Sequence, residues 1–497
     1  MLVWTIYISF LGAAGLVLLP RENRRAARIL ALLTALAGLA LALGGAAQYE
    51  LRATSDTRLD LVNLPWITDL GINYHLAADG ISVTLVLLTG IAAVAGVLFS
   101  WNVERRTREF FALYFALIGA VYGVFLSFDL FLLFVFYEIA IVPKYFLIAV
   151  WGSTRREYGA MKLALYSFAG SALVLVGLIA AYVVSGAQSF DLLVLAKQSF
   201  PVAFQHWAFP LVFVGFAVLA GLWPFHTWAP TGHVAAPTAA SMLLAGVVMK
   251  LGAYGALRVA MLLFPEGVHY WQNWIALLAV IGIVYGGTVA LVQRDLKFVI
   301  GYSSVSHMGF VLLGLMTLTQ IGLSGAVLQM FSHGIIAGLL FAVVGRMIYD
   351  RAHTRQLSEL EPMNLGVLAP FAAVTFVIAG AASMGLPGFS GFIAELQVLT
   401  GAWGVFPRLT ILAGVGILVG IAFMVRVWIK TFFGEKQTTA QAAAIHIEPI
   451  SIPERVGACL LLGTTVLIGL WPGLLLNLIT PTLGSPLFQP LWQGGRP

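Results

Sequence analysis

Long apolar stretches recur along the whole chain, and they leave it few choices of fold. Fourteen stretches reach the roughly 20 apolar residues that an α-helix needs to cross a membrane. Lipid offers no hydrogen-bond partner, so a crossing backbone must satisfy its own polar groups as a helix. The sequence therefore predicts an all-α polytopic membrane protein. The stretches form spans one to fourteen, at residues 1–19, 26–47, 76–101, 109–128, 129–150, 160–184, 206–225, 237–264, 272–292, 297–318, 321–348, 366–402, 405–433 and 454–478.

Composition excludes a soluble protein. Hydrophobic residues make up 60% of the chain and charged residues 10%, whereas soluble proteins carry about a quarter charged residues. The net charge of +6 is typical of the cytoplasmic loops of a membrane protein and does not indicate nucleic-acid binding. The single cysteine, Cys459, excludes a disulfide framework and any cysteine-ligated cluster held by this chain alone.

Lysine and arginine are unevenly distributed between the two sets of alternate loops. One set carries most of them, among them Arg105, Arg155, Arg351 and Lys436. Basic loops remain in the cytoplasm, so this set is predicted to be cytoplasmic and both termini to lie outside. The longest exterior loop, 48–75, is polar and is expected to form a small hairpin. The opposite, poorer set carries Arg52, Arg58, Lys197, Arg408 and Arg496.

Two spans contain helix-breaking residues. Span seven is interrupted at Pro224, and span twelve contains the Gly- and Pro-rich run 383–391. The two spans are five apart and cross in opposite directions, a pattern typical of inverted repeats with discontinuous helices. We predict inverted five-helix repeats over spans four to eight and nine to thirteen. The corresponding regions are residues 1–108 with spans one to three, 109–264 and 272–433 with the two repeats, and 434–497 with a cytoplasmic linker (434–453) and the last span.

Five ionisable side chains fall near the middle of spans: Glu138, Lys250, His307, His333 and Glu395. A Glu or Lys at such a position costs roughly 2.5–3.5 kcal/mol on the insertion scale, so it points to function. Their similar depth predicts a polar row in the membrane plane that relays protons. A membrane histidine is also often only a hydrogen-bond donor between helices.

Arginines nearer the ends of spans have a simpler interpretation. Arg258 and Arg426 are expected to extend their side chains to the membrane surface. The sequence shows no nucleotide-binding glycine loop, no metal-spaced His/Cys cluster and no nucleophile beside a base. We therefore expect no redox cofactor in this chain.

Several motifs carry a resemblance that covers essentially the whole chain. The sequence resembles the M-type antiporter-like membrane subunit of respiratory complex I, the proton-pumping NADH:quinone oxidoreductase. The basic residues after the WGS of span five favour the M-type over the related L- and N-types. The motifs are DGIS at Asp79–Ser82, FYEIAIVPKYFLIAVWGS at Phe136–Ser153, PFHTW at Pro224–Trp228, His233–Gly255, Gln293–Phe310, Ile348–Arg355 and LPGFSGFIAEL at Leu386–Leu396.

The resemblance implies both a mechanism and surroundings. It implies proton transfer along a central axis, with Glu138, Lys250, His307, His333 and Glu395 at the family's functional positions. NADH, FMN, iron–sulfur clusters and quinone are expected in other subunits. The implied partners are L-type and N-type neighbours, or a second M-type copy, together with lipid and no nucleic acid. The implied location is the bacterial inner membrane, with both termini periplasmic.

The chain also departs from the family pattern. The family's span-seven lysine, which pairs with the span-five glutamate, is Leu219 here. Two acids beyond the span-seven break are replaced by Thr231 and Ala235. An unusual cation, Lys144, follows the span-five proline. Lys144 either replaces the missing lysine as the partner of Glu138, which needs a bend near Pro143 or a bridging water, or extends to the cytoplasmic surface.

Other functions remain open at this level. Within the same superfamily, the alternative is a D-type subunit of a multisubunit Na⁺/H⁺ antiporter, or its equivalent in a membrane-bound hydrogenase. Another alternative is a spacer paralogue that preserves the membrane arm and no longer pumps, which the loss at Leu219 favours. Retention of Lys250, His307, His333 and Glu395 opposes the spacer.

Overall fold

The computed structural model describes residues 1–52, 57–434 and 447–493. Most of the predicted cytoplasmic linker, residues 435–446, lies outside the described residues, as do Lys436 and Arg496.

Helices account for all fourteen predicted spans. Twelve helices of the described residues are long and apolar enough to cross a membrane. The other two predicted spans are a shorter apolar helix, span one, and a pair of half-helices, span twelve. The chain is an all-α multi-pass membrane protein, as predicted. Spans one to fourteen are Val3–Leu18, Arg24–Arg52, Gly80–Phe99, Thr107–Leu126, Leu130–Trp151, Arg156–Ser185, Val202–Ala235, Thr238–Met261, Pro265–Val292, Leu296–Met316, Gln320–Ala352, Pro370–Ser383 with Ser390–Val405, Pro407–Phe432 and Ile452–Leu470.

The remaining elements lie between and after the spans. The predicted hairpin is present: β1 (Arg58–Ile67) pairs antiparallel with β2 (Ile72–Asp79), and the turn places Gly71 at a φ of 63°. That left-handed conformation suits glycine, which has no Cβ to clash. The short helices are Thr68–Leu70, Leu192–Leu195, Phe225–Thr227, Leu357–Leu360, Glu361–Met363, Leu365–Leu368, Gly473–Leu483 and Gln489–Gln493.

Both predicted breaks are present. The first part of span seven, Val202–Ala220, ends at Gly221 with a φ of 85°, and Trp223–Pro224 is a cis peptide. Beyond the break, a second helix forms at Trp228–Ala235. In span twelve, the half-helices Pro370–Ser383 and Ser390–Val405 are separated by six residues without regular structure.

Span five has a further break, which the sequence analysis did not predict. Its helix stops at Ile139 and resumes at Ile141. Pro143 accounts for the interruption, since it has no N–H to bond the carbonyl of Ile139 and its ring crowds that oxygen. The break directly follows Glu138.

The two predicted repeats share a structural feature at corresponding places. Residues 128–130, at the start of span five, pair with residues 190–192 through two backbone hydrogen bonds of 2.8 and 2.9 Å. Residues 294–296, at the start of span ten, pair with residues 355–357 through bonds of the same lengths. In both cases the central aspartate caps its span by accepting from backbone N–H groups. Spans five and ten are five apart and start on opposite sides, so the two features are inverted. The exact boundaries of the regions remain predictions.

Spans eight and eleven form the centre of the molecule. In each of these two spans, the most apolar 18-residue stretch is completely buried within the chain. In spans two and thirteen, at the periphery, 33% of the corresponding stretch is buried. Both central spans contain π-helical turns, at Leu244–Val248 and Ala256–Met261 in span eight and at Val343–Tyr349 in span eleven. Such turns are rare and often occur at functional sites.

Candidate functional site

Lys250 lies in the short α-helical segment Met249–Gly255, between the two π-helical turns of span eight. Its side chain is fully buried. The ammonium donates to the carbonyl of Ala245 and to Nδ1 of His333, the latter at 2.8 Å. No acidic side chain of the described residues forms an ion pair with Lys250. The lysine is therefore held by a carbonyl and an imidazole, and its Nζ is placed to pass a proton directly to His333.

His333, on span eleven, stacks against His307 on span ten. The ring centroids are 5.4 Å apart, and the planes are inclined by 17°. Nδ1 of His333 faces Lys250, whereas Nε2 has no hydrogen-bond partner among the described residues. A cavity of about 10 Å³, roughly the room that one water needs, is lined by both rings and by Glu395. One water in this cavity would bridge the step from His333 to His307.

His307 is held by two backbone carbonyls. Its Nδ1 lies 2.7 Å from the oxygen of Ser303, and its Nε2 lies 2.9 Å from the oxygen of Ser383. A carbonyl oxygen only accepts, so both contacts are hydrogen bonds only when both ring nitrogens carry a proton. The geometry therefore fits the imidazolium form of His307.

Glu395 lies beside His307 and is placed to balance its charge whenever the ring carries a second proton. Its Oε1 is 3.7 Å from Nε2 of His307 and accepts from the amide of Gln329 at 3.2 Å. Its other oxygen lies against Gly385 in the break of span twelve, where an added Cβ would come within 2.9 Å. A second small cavity, about 20 Å³, lies between Glu395, His307 and span thirteen. The carboxyl group of Glu395 is thus buried beside His307 and next to a cavity with room for water.

These four side chains form one continuous row. Lys250 is hydrogen-bonded to His333, and the rings of His333 and His307 stack beside a cavity with room for one water. Nε2 of His307 then lies 3.7 Å from Oε1 of Glu395. The row crosses from span eight through spans eleven and ten to span twelve, and each of its members can take up and release a proton. Such a row can move a proton laterally within the membrane plane.

Glu138 and Lys144 are not joined to this row by a described hydrogen bond or ion pair. Oε1 of Glu138 is buried without a partner among the described residues, and no ion pair within 4.0 Å links it to Lys144. Lys144 is 1% exposed, so it does not extend to the surface of the chain. Leu219, at the family's lysine position, is buried at 2% exposure. The direct pair between Glu138 and Lys144 proposed from the sequence is absent among the described residues.

Comparison with known proteins identifies the family. A model described as NADH:quinone oxidoreductase/Mrp antiporter, TM matches residues 127–421. The chain belongs to this family. NADH-quinone oxidoreductase subunit M of Rhodobacter capsulatus is 36% identical over 431 residues, covering 84% of this chain and 82% of the relative. NAD(P)H-quinone oxidoreductase chain 4 3 of Picosynechococcus sp. is 40% identical over 376 residues, covering 74% and 68%.

Solved structures of family members have the same fold. A chain of respiratory complex I from Thermus thermophilus superposes with a TM-score of 0.89 and 27% identity, covering 100% of both chains. A chain of the Mrp complex from Dietzia sp. superposes with a TM-score of 0.86 at 20% identity, covering 98% of this chain and 97% of that one. The second likeness concerns the fold alone.

The expectation that Arg258 reaches the membrane surface is wrong for this family member. Its guanidinium is fully buried and lies 2.6 Å from the carboxylate of Asp79, which also caps span three. The rings of Phe128 and Tyr254 flank it at 5.1 and 5.2 Å. Asp79 comes from a distant part of the sequence, so its approach could not be inferred from the position of Arg258 within span eight. Arg426 donates to the carbonyls of Leu291 and Gln293, at and just beyond the end of span nine, at 2.7 and 2.9 Å, and its extension to the membrane surface stays a prediction.

Two further residues hold members of the row, and neither was predicted from the sequence. Gln329 holds Glu395, and Ser383 holds His307, yet neither carries a charge. Gln329 lies four residues before His333 and hence on the same helix face, which is a usable signal. Ser383 directly precedes the break of span twelve, where backbone carbonyls have no helical partner.

Proposed function

We propose that this chain is the proton-translocating M-type subunit in the membrane arm of a complex I-like NADH:quinone oxidoreductase. The observation that carries the proposal is the continuous buried row from Lys250 through His333 and His307 to Glu395. Proton transfer along the row is coupled to quinone reduction in another part of the complex. The chain is thus part of an enzyme complex but carries no redox chemistry itself.

The surroundings follow from this proposal. NADH, FMN, iron–sulfur clusters and quinone belong to other subunits. The neighbours in the membrane arm are L-type and N-type subunits or a second M-type copy. The chain lies in the bacterial inner membrane with both termini on the periplasmic side, which the uneven distribution of lysine and arginine supports.

Glu138 and Lys144 are proposed to form the other end of the axis. In this proposal, Lys144 takes the place of the lysine missing at Leu219 and contacts Glu138 through water. The burial of Lys144 supports this role, since an enclosed ammonium is costly unless a counter-charge such as Glu138 compensates it.

The spacer alternative rests on the separation of Glu138 from the row. If protons cannot pass from Glu138 to Lys250, the row either receives its protons from another donor or receives none. A Na⁺/H⁺ antiporter subunit is the other alternative, and Na⁺-dependent transport without quinone reduction would favour it.

Lys250→Ala in the intact complex tests the proposal. We expect fewer protons translocated per electron, because the first donor of the row is lost, with quinone reductase activity of the assembled complex retained. Lys430→Ala is a matched control, since Lys430 pairs with Glu361 at the partly exposed end of span thirteen. An unchanged proton-to-electron ratio in Lys250→Ala would rule out pumping by this chain and leave the spacer.

A further inference from the structure

Ser383 presents two different groups to the same nitrogen of His307. Its carbonyl oxygen lies 2.9 Å from Nε2, and its hydroxyl lies 3.5 Å from Nε2. The first is an acceptor only, whereas the second can also donate. Ser383 therefore offers its carbonyl as a partner for protonated Nε2 and its hydroxyl as a partner for unprotonated Nε2.

The carbonyl of Ser383 is free because of the break in span twelve. Ser383 is the last residue of the first half-helix, and the last four carbonyls of a helix have no amide partner within it. No backbone amide of the described residues bonds to this oxygen, whereas the amides of residues 384–386 bond to earlier carbonyls. The break thus leaves the carbonyl of Ser383 free to accept a hydrogen bond from His307.

The hydroxyl of Ser383 is also uncommitted. Buried hydroxyls within spans usually donate to the carbonyl four residues earlier, as Thr375 does to Phe371 in the same half-helix and Ser304 does to Ile300. Among the described residues, the contact made by the Ser383 hydroxyl is the one to Nε2 of His307. A purely structural serine would be expected to make the local bond.

We propose that Ser383 is a positioning residue that holds His307 in both of its protonation states. Its carbonyl accepts from Nε2 when that nitrogen is protonated, and its hydroxyl donates to Nε2 when it is not. This inference rests on the proposed function, because it concerns the proton that passes along the row.

The proton balance is simple. When the N–H bond at Nε2 breaks, the proton goes to Oε1 of Glu395, 3.7 Å away, through a shortening of the contact or one water. The imidazolium becomes neutral and the carboxylate becomes a carboxylic acid, so the total charge is unchanged. The other titratable group facing His307 is His333, with Lys250 beyond it.

The change of partner explains why the break lies beside the row. After transfer, the lone pair of Nε2 would face the lone pairs of the Ser383 carbonyl, which is unfavourable. Turning the hydroxyl toward Nε2 removes this repulsion and needs a small rearrangement of Ser383. A residue at the end of a half-helix can move in this way without breaking a ladder of helical hydrogen bonds.

Ser383→Ala tests the inference, because it keeps the carbonyl and removes the hydroxyl. We expect the proton-pumping rate of the intact complex to fall about 2- to 10-fold, the factor given by one hydrogen bond of ordinary strength. Infrared spectra of complex with labelled histidine should show less neutral His307 than in the unsubstituted protein. Ser383→Thr keeps the hydroxyl and should restore both readouts.

Thr375→Val is the matched control, since it removes a buried hydroxyl two turns earlier in the same half-helix. A loss of rate in Thr375→Val as large as that in Ser383→Ala would overturn the inference, as would an equal loss in Ser383→Ala and Ser383→Thr. No effect of Ser383→Ala, with Lys250→Ala still lowering the proton-to-electron ratio, would overturn the inference and leave the proposed function standing. An unchanged ratio in Lys250→Ala would overturn the proposed function itself.

Discussion

At the scale of single residues, this chain has a buried leucine, Leu219, at the position of the family's span-seven lysine, and a buried lysine, Lys144, in span five. The ring of Tyr137, next to Glu138, packs on Phe216 at 5.5 Å. Leu219 follows Phe216 by three residues and hence lies on the same face of span seven. The Tyr137–Phe216 contact therefore brings the part of span seven that carries Leu219 to the part of span five that carries Glu138.

Lys144→Leu should lower the proton-to-electron ratio of the intact complex, because Glu138 then lacks a cation. The double variant Lys144→Leu with Leu219→Lys should recover at least part of the loss, since it returns a cation to the position from which the family's lysine is expected to pair with Glu138. Equal ratios in the unsubstituted protein and Lys144→Leu would refute a role for Lys144. Lys430→Leu controls for the loss of a lysine elsewhere.

At the scale of elements, the loop that interrupts span twelve has two glycines with positive φ, Gly385 at 69° and Gly388 at 97°. A Cβ at Gly385 would come within 2.9 Å of a carboxylate oxygen of Glu395. At Gly388, nothing among the described residues lies within 4 Å of an added Cβ. Substitutions at these two glycines therefore distinguish the effect of backbone strain from the effect of contact with Glu395.

Gly385→Ala and Gly388→Ala should both destabilise the loop by roughly 1–2 kcal/mol, the cost of a left-handed conformation with a Cβ. Only Gly385→Ala should also reduce proton pumping, because it displaces Glu395 from His307. Thermal unfolding of the complex and the proton-to-electron ratio are the measurements. A similar loss of pumping in Gly388→Ala would attribute the effect to strain alone.

The elements also show what a sequence can predict. Both discontinuous helices were predicted, because proline and glycine clusters break helices directly. The break in span five after Glu138 was not predicted, because Pro143 disrupts the helical hydrogen bond to a carbonyl four residues before the proline itself. The helix Trp228–Ala235 lies between the predicted spans seven (206–225) and eight (237–264), and its Pro230 is tolerated because it lies in the first turn of the helix. The π-helical turns carry no comparable signal.

The site was predictable to a similar degree. Charged residues in a membrane segment are costly, so Lys250 and Glu395 stand out in any apolar sequence. The packing of the helices decides which ionisable groups are in contact. Lys250 and His333, for example, are hydrogen-bonded although they are 83 residues apart in sequence. Neutral partners such as Gln329 and Ser383 are common residues, and only the structure distinguishes them.

At the scale of the whole molecule, the hairpin β1–β2 is attached to the connection between spans six and seven through His75. Nδ1 of His75 lies 2.6 Å from Asp191, and Nε2 lies 3.4 Å from Asp60. Burial alone would lower the pKa of His75, but the two carboxylates outweigh it and raise the pKa above its ordinary value of 6.5. The charged histidine therefore strengthens this attachment.

Attachment of the hairpin should weaken at alkaline pH. A raised pKa in the folded state means that the stabilisation is complete below about pH 6.5 and is lost as the pH rises through the higher folded value. Hydrogen exchange of residues 72–79, corrected for intrinsic rates, should show less protection at pH 9 than at pH 6. His75→Gln should remove this difference, and greater protection at pH 9 in the unsubstituted protein would contradict the assignment.

The complete enclosure of spans eight and eleven has one further consequence. Because Lys250 and His333 lie on helices surrounded by other helices of the same chain, no acyl chain contacts them. The polarity around these two groups is therefore set by the sequence and not by the bilayer. We expect the intrinsic transfer step between them to be insensitive to the length and saturation of the surrounding fatty acids, so that one sequence suits bacterial membranes whose lipids change with growth temperature.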